Sequence, residues 1–407
     1  MRIARAIAAL LPLLLSACLS QPSAPSTAPA NFKVTAGENR AVLSWDAQPG
    51  LTYWLYYKAG SSVSTGTHDY IQKGITSPYV VSGLTNGTQY AFIINASDSG
   101  SKTGPATPVL TATPRLLGPA VPWSVGASLS GGALNGIAFN SRQFVAVGDG
   151  AAVFAAPFSY TASGGVTAWS PAATLPAGFS ANLTSVIFDG ARFIALGEDG
   201  STLLSTDSLN WSAGAAIAGA PAMHAVAYGA GPVYVAVGDG GAIYRNTGGG
   251  VSGAWAMMSS GSSQDLYGVS YVNGQFVAVG AAGALLTSSD GAVWTVQTSN
   301  TNSALRGVAY GADTYVAVGD AGAVVSSSDA VNWTAQSIPT TQSLYAICFG
   351  PDAQFIAVGT VGTLVFSASG ADGSWSVSNA GSSDLYGIAP ADVFIAVGAA
   401  GANVSGK

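Results

Sequence analysis

A short apolar segment that ends in glycine recurs seven times between residues 144 and 398. Each copy begins with Phe or Tyr and continues through aliphatic residues without a polar interruption. Such segments are typical of strands that are buried on both faces, and the glycine permits a tight turn after the strand. The chain must therefore bury seven similar strands between packed sheets. The copies occupy residues 144–148, 193–197, 234–238, 276–280, 315–319, 355–359 and 394–398.

Each copy belongs to a longer repeat that begins with another apolar strand, Leu-x-Gly-Val-Ala-Tyr in its clearest form. Successive starts are separated by 49, 40, 43, 39, 39 and 41 residues. A period near forty that contains several short strands is typical of one four-stranded β-propeller blade. The sequence therefore predicts an all-β fold with a seven-bladed β-propeller over residues 119–407. The repeats start at Leu134, Leu183, Met223, Leu266, Leu305, Leu344 and Leu385.

A lone tryptophan late in each repeat provides an independent count of the repeats. The seventh repeat reaches Lys407 without its tryptophan, whereas Trp123 precedes the first repeat. We therefore expect the strand at 121–128 to pair with the last blade and close the ring. Closure removes the open sheet edges through which β-proteins aggregate. The tryptophans of the first six repeats are Trp169, Trp211, Trp255, Trp294, Trp333 and Trp375.

Three repeats read Ser-x-Asp before the tryptophan, at 205–207, 288–290 and 327–329. These hairpins resemble the Asp-box (BNR) repeat, although the tryptophan follows one residue sooner than in that family. The whole repeat is similar to the propellers of photosystem II assembly factors and their non-photosynthetic bacterial relatives. The resemblance implies a structural role for each aspartate, whose carboxylate accepts hydrogen bonds from nearby backbone amides.

The N-terminal residues 1–17 resemble a lipoprotein signal peptide. Two arginines precede the apolar run at 6–15, which is too short to span a bilayer. The run leads into Leu-Ser-Ala-Cys, which resembles the lipobox of bacterial lipoproteins. The resemblance implies that Cys18 is lipidated and anchors the chain in a membrane. Leu19 follows where Asp would signal inner-membrane retention, which favours the outer membrane, facing either the periplasm or the exterior. The alternative is an ordinary signal peptide with a chance cysteine.

A tether and a small domain separate the anchor from the repeats. Residues 18–31 are rich in Pro, Ser and Ala and favour an extended, solvated chain. Residues 32–114 instead contain alternating apolar strands separated by turn residues. The stretch at 83–90 resembles the tyrosine corner of fibronectin type III domains, and Trp45 stands where that family keeps a core tryptophan. The resemblance implies a seven-stranded β-sandwich, which serves as a spacer or a weak contact surface.

Composition excludes several classes of function. Charged residues make up only 8% of the chain and the formal net charge is −6, so no basic patch is available to bind nucleic acid. The only histidines are His68 and His224, and no loop combines several carboxylates, so we predict no metal site and no cofactor. Cys348 lies in an apolar strand and is expected to be a buried hydrophobic residue. We expect a monomer.

The residue after each starting Leu or Met varies most among the repeats. In a propeller the innermost strand starts beside the central channel, so these side chains are expected to ring one channel mouth. Tyrosine offers a flat apolar face and a hydroxyl group, which suits sugar rings or peptide segments. The alternative is a solvated mouth that tolerates any residue, with nearby carboxylates that hold turns or raise solubility. The seven residues are Asn135, Thr184, His224, Tyr267, Arg306, Tyr345 and Tyr386.

These features favour a membrane-anchored binding or assembly protein that engages a protein or polysaccharide partner without catalysis. One alternative is a glycan-active hydrolase or lyase, because Asp-box propellers include sialidases. Sialidases need three arginines around the substrate carboxylate. Here the mouth holds Arg306 alone, while Arg142 and Arg192 fall in turns at the far face. A Ser-His-Asp triad would rest on His224 alone. The other alternative is a purely structural spacer in the cell envelope.

Overall fold

The computed structural model describes residues 24–37, 40–98, 102–114, 123–159, 165–166, 168–248, 253–350, 353–391 and 393–406. The predicted signal peptide and Cys18 lie outside these residues. The regular secondary structure of the described chain consists of β-strands and six short 3-10 turns. None of its helical segments is long and apolar enough to cross a membrane. The chain divides into two compact units, with the main boundary between Pro114 and Arg115.

The described residues of the first unit form two sheets. Its strands are β1 (Lys33–Gly37), β2 (Arg40–Ser44), β3 (Thr52–Ala59), β4 (Tyr70–Ile75), β5 (Tyr79–Ser82), β6 (Tyr90–Ser97), β7 (Thr103–Ala106) and β8 (Leu110–Ala112). One sheet has the order β1-β2-β5. The other has the order β4-β3-β6-β7, and β8 also pairs with β6.

Alternation along these strands buries a small core around Leu43, Leu55 and Trp45. The hydroxyl of Tyr90 accepts a hydrogen bond from the Thr85 backbone N–H at 3.2 Å, the kind of contact that a tyrosine corner makes. The end of the predicted tether also contacts this unit. The Asp46 backbone N–H donates to the Ala30 carbonyl at 3.0 Å, and the Asn31 side-chain amide donates to the Asp46 carboxylate at 2.7 Å.

The second unit contains the repeats. Its strands are β9 (Trp123–Val125), β10 (Leu134–Phe139), β11 (Gln143–Gly148), β12 (Ala152–Ser159), β13 (Gly165–Val166), β14 (Ser170–Pro171), β15 (Leu183–Phe188), β16 (Phe193–Gly197), β17 (Thr202–Ser205), β18 (Ser212–Ala213), β19 (Met223–Gly229), β20 (Val233–Gly238), β21 (Ile243–Asn246), β22 (Ala256–Met258), β23 (Leu266–Val272), β24 (Gln275–Gly280), β25 (Leu285–Ser288), β26 (Thr295–Val296), β27 (Leu305–Gly311), β28 (Thr314–Gly319), β29 (Val324–Ser327), β30 (Thr334–Ala335), β31 (Leu344–Phe349), β32 (Phe355–Gly359), β33 (Thr363–Ser367), β34 (Ser376–Asn379), β35 (Leu385–Pro390), β36 (Phe394–Gly398) and β37 (Asn403–Gly406).

Within the described residues these strands form seven separate sheets. Six begin with the first strand of a repeat and continue outward in chain order. The seventh has the order β35-β36-β37-β9, in which Trp123 stands opposite Gly406 and Val125 opposite Val404. The first strands contact one another in the cycle β10-β15-β19-β23-β27-β31-β35, and β35 contacts β10. The second unit is therefore a β-propeller whose innermost strands surround a channel.

The Ser-x-Asp hairpins are structural turns. The Asp207 carboxylate accepts hydrogen bonds from the backbone N–H groups of Leu209 and Asn210 at 3.0 and 2.8 Å, and from the Asn210 side chain at 2.8 Å. Trp211 then donates its indole N–H to the Ser208 carbonyl at 3.0 Å. The turns at Asp290 and Asp329 bind backbone N–H groups in the same way. Each carboxylate is thus held in its charged form by donors of its own hairpin.

This geometry predicts acid sensitivity at Asp207. Hydrogen bonds from the Asn210 side chain and backbone lower the pKa of Asp207 from 3.8 to about 2. The stabilisation is present above the usual pKa and is lost as the pH falls through the lowered value. Asp207→Asn keeps an acceptor oxygen but cannot titrate. From about pH 5 to about pH 2, the free energy of unfolding of the parent should fall by about 1 kcal/mol more than that of the variant, a value reduced for solvent screening. Urea unfolding at each pH measures the difference. Equal losses would contradict a charged turn.

Cys348 is buried in β31, and burial raises the pKa of its thiol well above the usual range. Thiolate is the reactive form, so the native thiol should be inert. In a Cys18→Ser chain, we expect Cys348 to react with a thiol reagent about 1,000-fold more slowly in the native state than in denaturant. Comparable rates in the two states would contradict this burial.

Candidate functional site

One residue of each first strand is turned toward the channel by a β-bulge. In β10, Leu134 pairs with Gly148 and Gly136 with Val147, so Asn135 is the extra residue between two ladder pairs. The other six first strands shift register at the equivalent residue. Bulges of this kind redirect a side chain at the rim of a sheet. The preceding Leu or Met is fully buried and fixes each bulge in the core.

The structure brings all seven sequence-predicted site residues to one cavity of about 260 Å³ at this end of the channel. Each is half-buried. Their side chains come from seven different sheets, so the cavity exists only because the sheets form a ring. The seven residues are Asn135, Thr184, His224, Tyr267, Arg306, Tyr345 and Tyr386.

Five of these side chains contact one another in sequence order, and we call them the aromatic arc. The rings of His224 and Tyr267 lie 5.5 Å apart, edge to face. The guanidinium carbon of Arg306 lies 5.0 Å from the ring centre of Tyr267 and 5.2 Å from that of Tyr345. The rings of Tyr345 and Tyr386 lie 5.2 Å apart, again edge to face. A cation held between two tyrosines is a favourable arrangement that also orders the guanidinium plane.

Three polar mouth residues pair with an aspartate of the same repeat. The Asn135 amide donates to Asp149 at 2.9 Å, and the ring nitrogen Nε2 of His224 lies 2.7 Å from Asp239. Arg306 binds Asp320 through two nitrogens, with Nη2 at 3.0 Å from Oδ2. Thr184 instead donates its hydroxyl to the Leu196 carbonyl at 3.3 Å. In the three tyrosine repeats the position equivalent to these aspartates holds Ala281, Thr360 and Ala399.

Two further carboxylates connect neighbouring sheets. Asp265 accepts the Gly240 backbone N–H, and Asp384 accepts the Val361 backbone N–H, both at 2.8 Å. Each N–H belongs to a turn of the preceding repeat. These two residues therefore hold turns, as one of the sequence alternatives proposed. We call the acidic residues of this face the mouth carboxylates; they are Asp149, Glu198, Asp199, Asp239, Asp265, Asp320 and Asp384.

The local charges affect the mouth side chains. The hydrogen bonds that Arg306 donates to Asp320 raise the pKa of the guanidinium, which therefore stays charged. Burial raises the pKa of the Tyr345 and Tyr386 hydroxyls, and the nearby Asp384 carboxylate adds to both shifts. Both hydroxyls remain protonated at neutral pH and can donate hydrogen bonds to a ligand.

Sequence reasoning missed a second ring at the other end of the same strands. It lines a cavity of about 520 Å³. Six of its members are aromatic, and each packs against the first aromatic residue of the second strand, with ring centres 4.4–5.1 Å apart. The signal was present as the last residue of Leu-x-Gly-Val-Ala-Tyr. We call these residues the far ring: Phe139, Phe188, Tyr228, Tyr271, Tyr310, Phe349 and Pro390.

The turns beside the far ring hold the other predicted arginines. Arg192 bonds Asp189 at 3.0 Å, and Asp189 also accepts the Tyr234 hydroxyl at 2.7 Å. These contacts lie in the turn between β15 and β16 and give Arg192 a structural partner. Among the residues that the structure describes, no group of three or more His, Cys, Asp or Glu side chains could hold a metal ion.

No protein-family model matches the chain, and neither does any curated protein. Solved structures do match. YCF48 bound to a D1 peptide shares 18% identity at a TM-score of 0.56, covering 71% of this chain and 97% of that one. The WD40 β-propeller domain of Doa1 shares 12% identity at a TM-score of 0.56, covering 70% and 97%.

A catalytically inactive virginiamycin B lyase from Staphylococcus aureus with quinupristin shares 12% identity at a TM-score of 0.54, covering 70% of this chain and 99% of that one. At such low identity the likeness concerns the fold alone. The fold and the comparisons therefore define this chain as one that carries a β-propeller.

Proposed function

We propose that this chain is a non-catalytic binding protein whose propeller engages a segment of a partner protein at the channel mouth. The aromatic arc carries the proposal. Five different side chains contact one another around one cavity, at the position where the repeats differ most, while the far ring keeps its aromatic character in six repeats. Tyr, His and Arg in contact provide apolar faces, hydrogen-bond donors and charge together, as binding hot spots do.

A protein partner is favoured over a polysaccharide by one comparison. YCF48, which has a similar propeller fold, has been solved with a D1 peptide bound. A peptide segment can insert a side chain into the mouth cavity of about 260 Å³. Polysaccharide binding remains an outcome of the test below.

Binding without chemistry is part of the proposal. The best candidate base, His224, is held by Asp239 at 2.7 Å, and Arg306 is held by Asp320. Such pairs support a fixed recognition surface. We also propose that each of the seven sheets is one blade, that the first unit is a fibronectin type III-like sandwich, and that Cys18 carries the lipid anchor in a bacterial envelope. The sheet orders, the Tyr90 contact and the lipobox-like segment support these assignments.

The test compares three full-length chains in detergent, each screened with an envelope extract and a glycan array. One is the parent. The second carries four changes at the mouth, Tyr267→Ala, Arg306→Ala, Tyr345→Ala and Tyr386→Ala. The matched control carries Val293→Ala, Val296→Ala and Val331→Ala at exposed positions of the propeller. We expect the parent and the control to capture the same protein and the mouth variant to lose it.

Three outcomes would contradict the proposal. Retention of the partner by the mouth variant would exclude the mouth as the site. Glycan binding that depends on the mouth, without protein capture, would establish a polysaccharide partner instead. Turnover of any glycan by the parent would establish an enzyme.

A further inference from the structure

We infer that the mouth takes up a cationic segment of its partner, with a lysine or arginine side chain placed against Tyr386 and beside Asp384. The inference rests on the proposed function, since it names the ligand chemistry of the same site. It follows from the charge of the mouth, from the arrangement around Arg306 and from the surroundings of Tyr386.

The mouth face has a large excess of negative charge. Its loops and the turns that follow the second strands contain the seven mouth carboxylates. No lysine or arginine occurs in the turns at 149–151, 198–201, 239–241, 281–283, 320–322, 360–362 and 399–401, or in the loops at 126–133, 172–182, 214–222, 259–265, 297–304, 336–343 and 380–384. Arg306 adds one positive charge, but the bidentate contact with Asp320 compensates it. Asp265 and Asp384 bind backbone N–H groups, which carry no compensating positive charge. A cleft lined by one sign of charge concentrates ligands of the opposite sign.

The arc already contains the contact that the inference requires. Arg306 lies between the rings of Tyr267 and Tyr345 at 5.0 and 5.2 Å, with a carboxylate beside it. Tyr386 continues the arc through its contact with Tyr345. Among the described residues, no lysine or arginine lies over the Tyr386 ring. A ligand cation there would meet a tyrosine ring and a nearby carboxylate, the two kinds of group that Arg306 contacts.

Carboxylates of two repeats act on Tyr386. The negative charges of Asp384 and Asp149 both contribute to the raised pKa of its hydroxyl, although burial is the largest cause. Asp384 immediately precedes β35, which carries Tyr386, and Asp149 belongs to the adjacent first sheet. A cation against this ring would therefore meet the negative charge of both carboxylates, which strengthens a cation–π contact.

The experiment uses three fluorescein-labelled peptides with the same Gly/Ser flanks and a centre of three lysines, three glutamines or three glutamates. Each is titrated against the full-length chain in neutral detergent. We expect the lysine peptide to bind about 10-fold more tightly than the glutamine peptide, and the glutamate peptide more weakly still. Raising the salt concentration from about 50 to about 300 mM should lower the affinity for the lysine peptide several-fold, because the mouth charges become screened.

Matched variants locate the contact. Asp384→Asn keeps the acceptor oxygen for the Val361 N–H but removes the charge. It should lower the affinity for the lysine peptide about 5-fold. Tyr386→Ala should lower the affinity for the lysine peptide about 10-fold. Asp313→Asn is the control, because Asp313 lies in a turn beside the far ring and carries the same charge. An unchanged unfolding midpoint of Asp384→Asn verifies that the turn is intact.

Each other outcome overturns the inference. Equal binding of the lysine and glutamine peptides, lost together in Tyr386→Ala, would refute a cationic ligand while leaving the mouth as the site. Tighter binding of the glutamate peptide would show that the mouth prefers a negatively charged ligand. Equal effects of Asp313→Asn and Asp384→Asn would show general attraction to an acidic protein. No binding of the lysine peptide would also refute the inference, whereas the capture experiment judges the proposed function separately.

Discussion

Gly319→Ala is expected to lower the free energy of unfolding by about 3 kcal/mol or more. Gly319 ends β28, and its backbone is extended, with φ at −168°. A Cβ atom there would lie 1.9 Å from the Ala304 carbonyl oxygen and 2.9 Å from the Leu305 Cα. Both neighbours are backbone atoms, and the Ala304 carbonyl also accepts the Asp320 N–H at 2.9 Å. Relief of the clash would therefore displace the strand that carries Arg306.

Gly131→Ala is the matched control, because a Cβ on Gly131 meets nothing within 4 Å. Urea unfolding of both full-length variants measures the difference. An equal midpoint for Gly319→Ala and Gly131→Ala would show that the first strand moves easily, and the bulge would then not fix the mouth. The same close approach to a backbone carbonyl occurs at the ends of five more second strands, at Gly148, Gly238, Gly280, Gly359 and Gly398.

The second large effect is a loss of binding, expected from one of two double variants that alter the same two strands at opposite ends of the channel. Tyr267→Ala with Tyr345→Ala removes both rings from Arg306 and should weaken binding of the captured partner about 100-fold. Tyr271→Ala with Phe349→Ala alters the same two strands, β23 and β31, at their far ends. Those far residues pack on core aromatics at 4.8 Å, so their loss should lower stability more but leave binding unchanged.

Calorimetry of the two variants with the partner, together with their unfolding midpoints, separates the two effects. Weaker binding in the far variant and normal binding in the mouth variant would reverse the assignment of the two ends. An equal loss of binding in both double variants would indicate that the two strands only support a site elsewhere, and that the mouth side chains do not bind the partner.

The propeller could be predicted because its information is repeated. The apolar segment ending at Gly319 has six counterparts, and burial on both faces leaves little freedom for another fold. The aromatic arc could be located for the opposite reason, since the residue after each starting Leu or Met is not needed for packing. The structure explains this freedom, because the bulge at Asn135 and its equivalents takes that residue out of the ladder.

The contacts between sheets could not be predicted. The hydrogen bond from the Gly240 N–H to Asp265 joins two repeats, and its existence depends on how far one sheet is rotated from the next. The pairing of His224 with Asp239 was within reach, since an acid follows the polar mouth residues and is missing after the tyrosines. The far ring could not be distinguished from core packing by sequence, because its aromatic residues recur from repeat to repeat.

One measurement tests binding at the mouth most directly. A photo-crosslinking phenylalanine analogue is placed at position 184 in one full-length chain and at position 188 in another. Thr184 and Phe188 lie on the same strand, β15, at the mouth and at the far ring. Neither belongs to the aromatic arc. After irradiation in an envelope extract, we predict that a partner protein is crosslinked from position 184 and not from position 188. Crosslinking from position 188 alone, or from neither position, would contradict binding at the mouth.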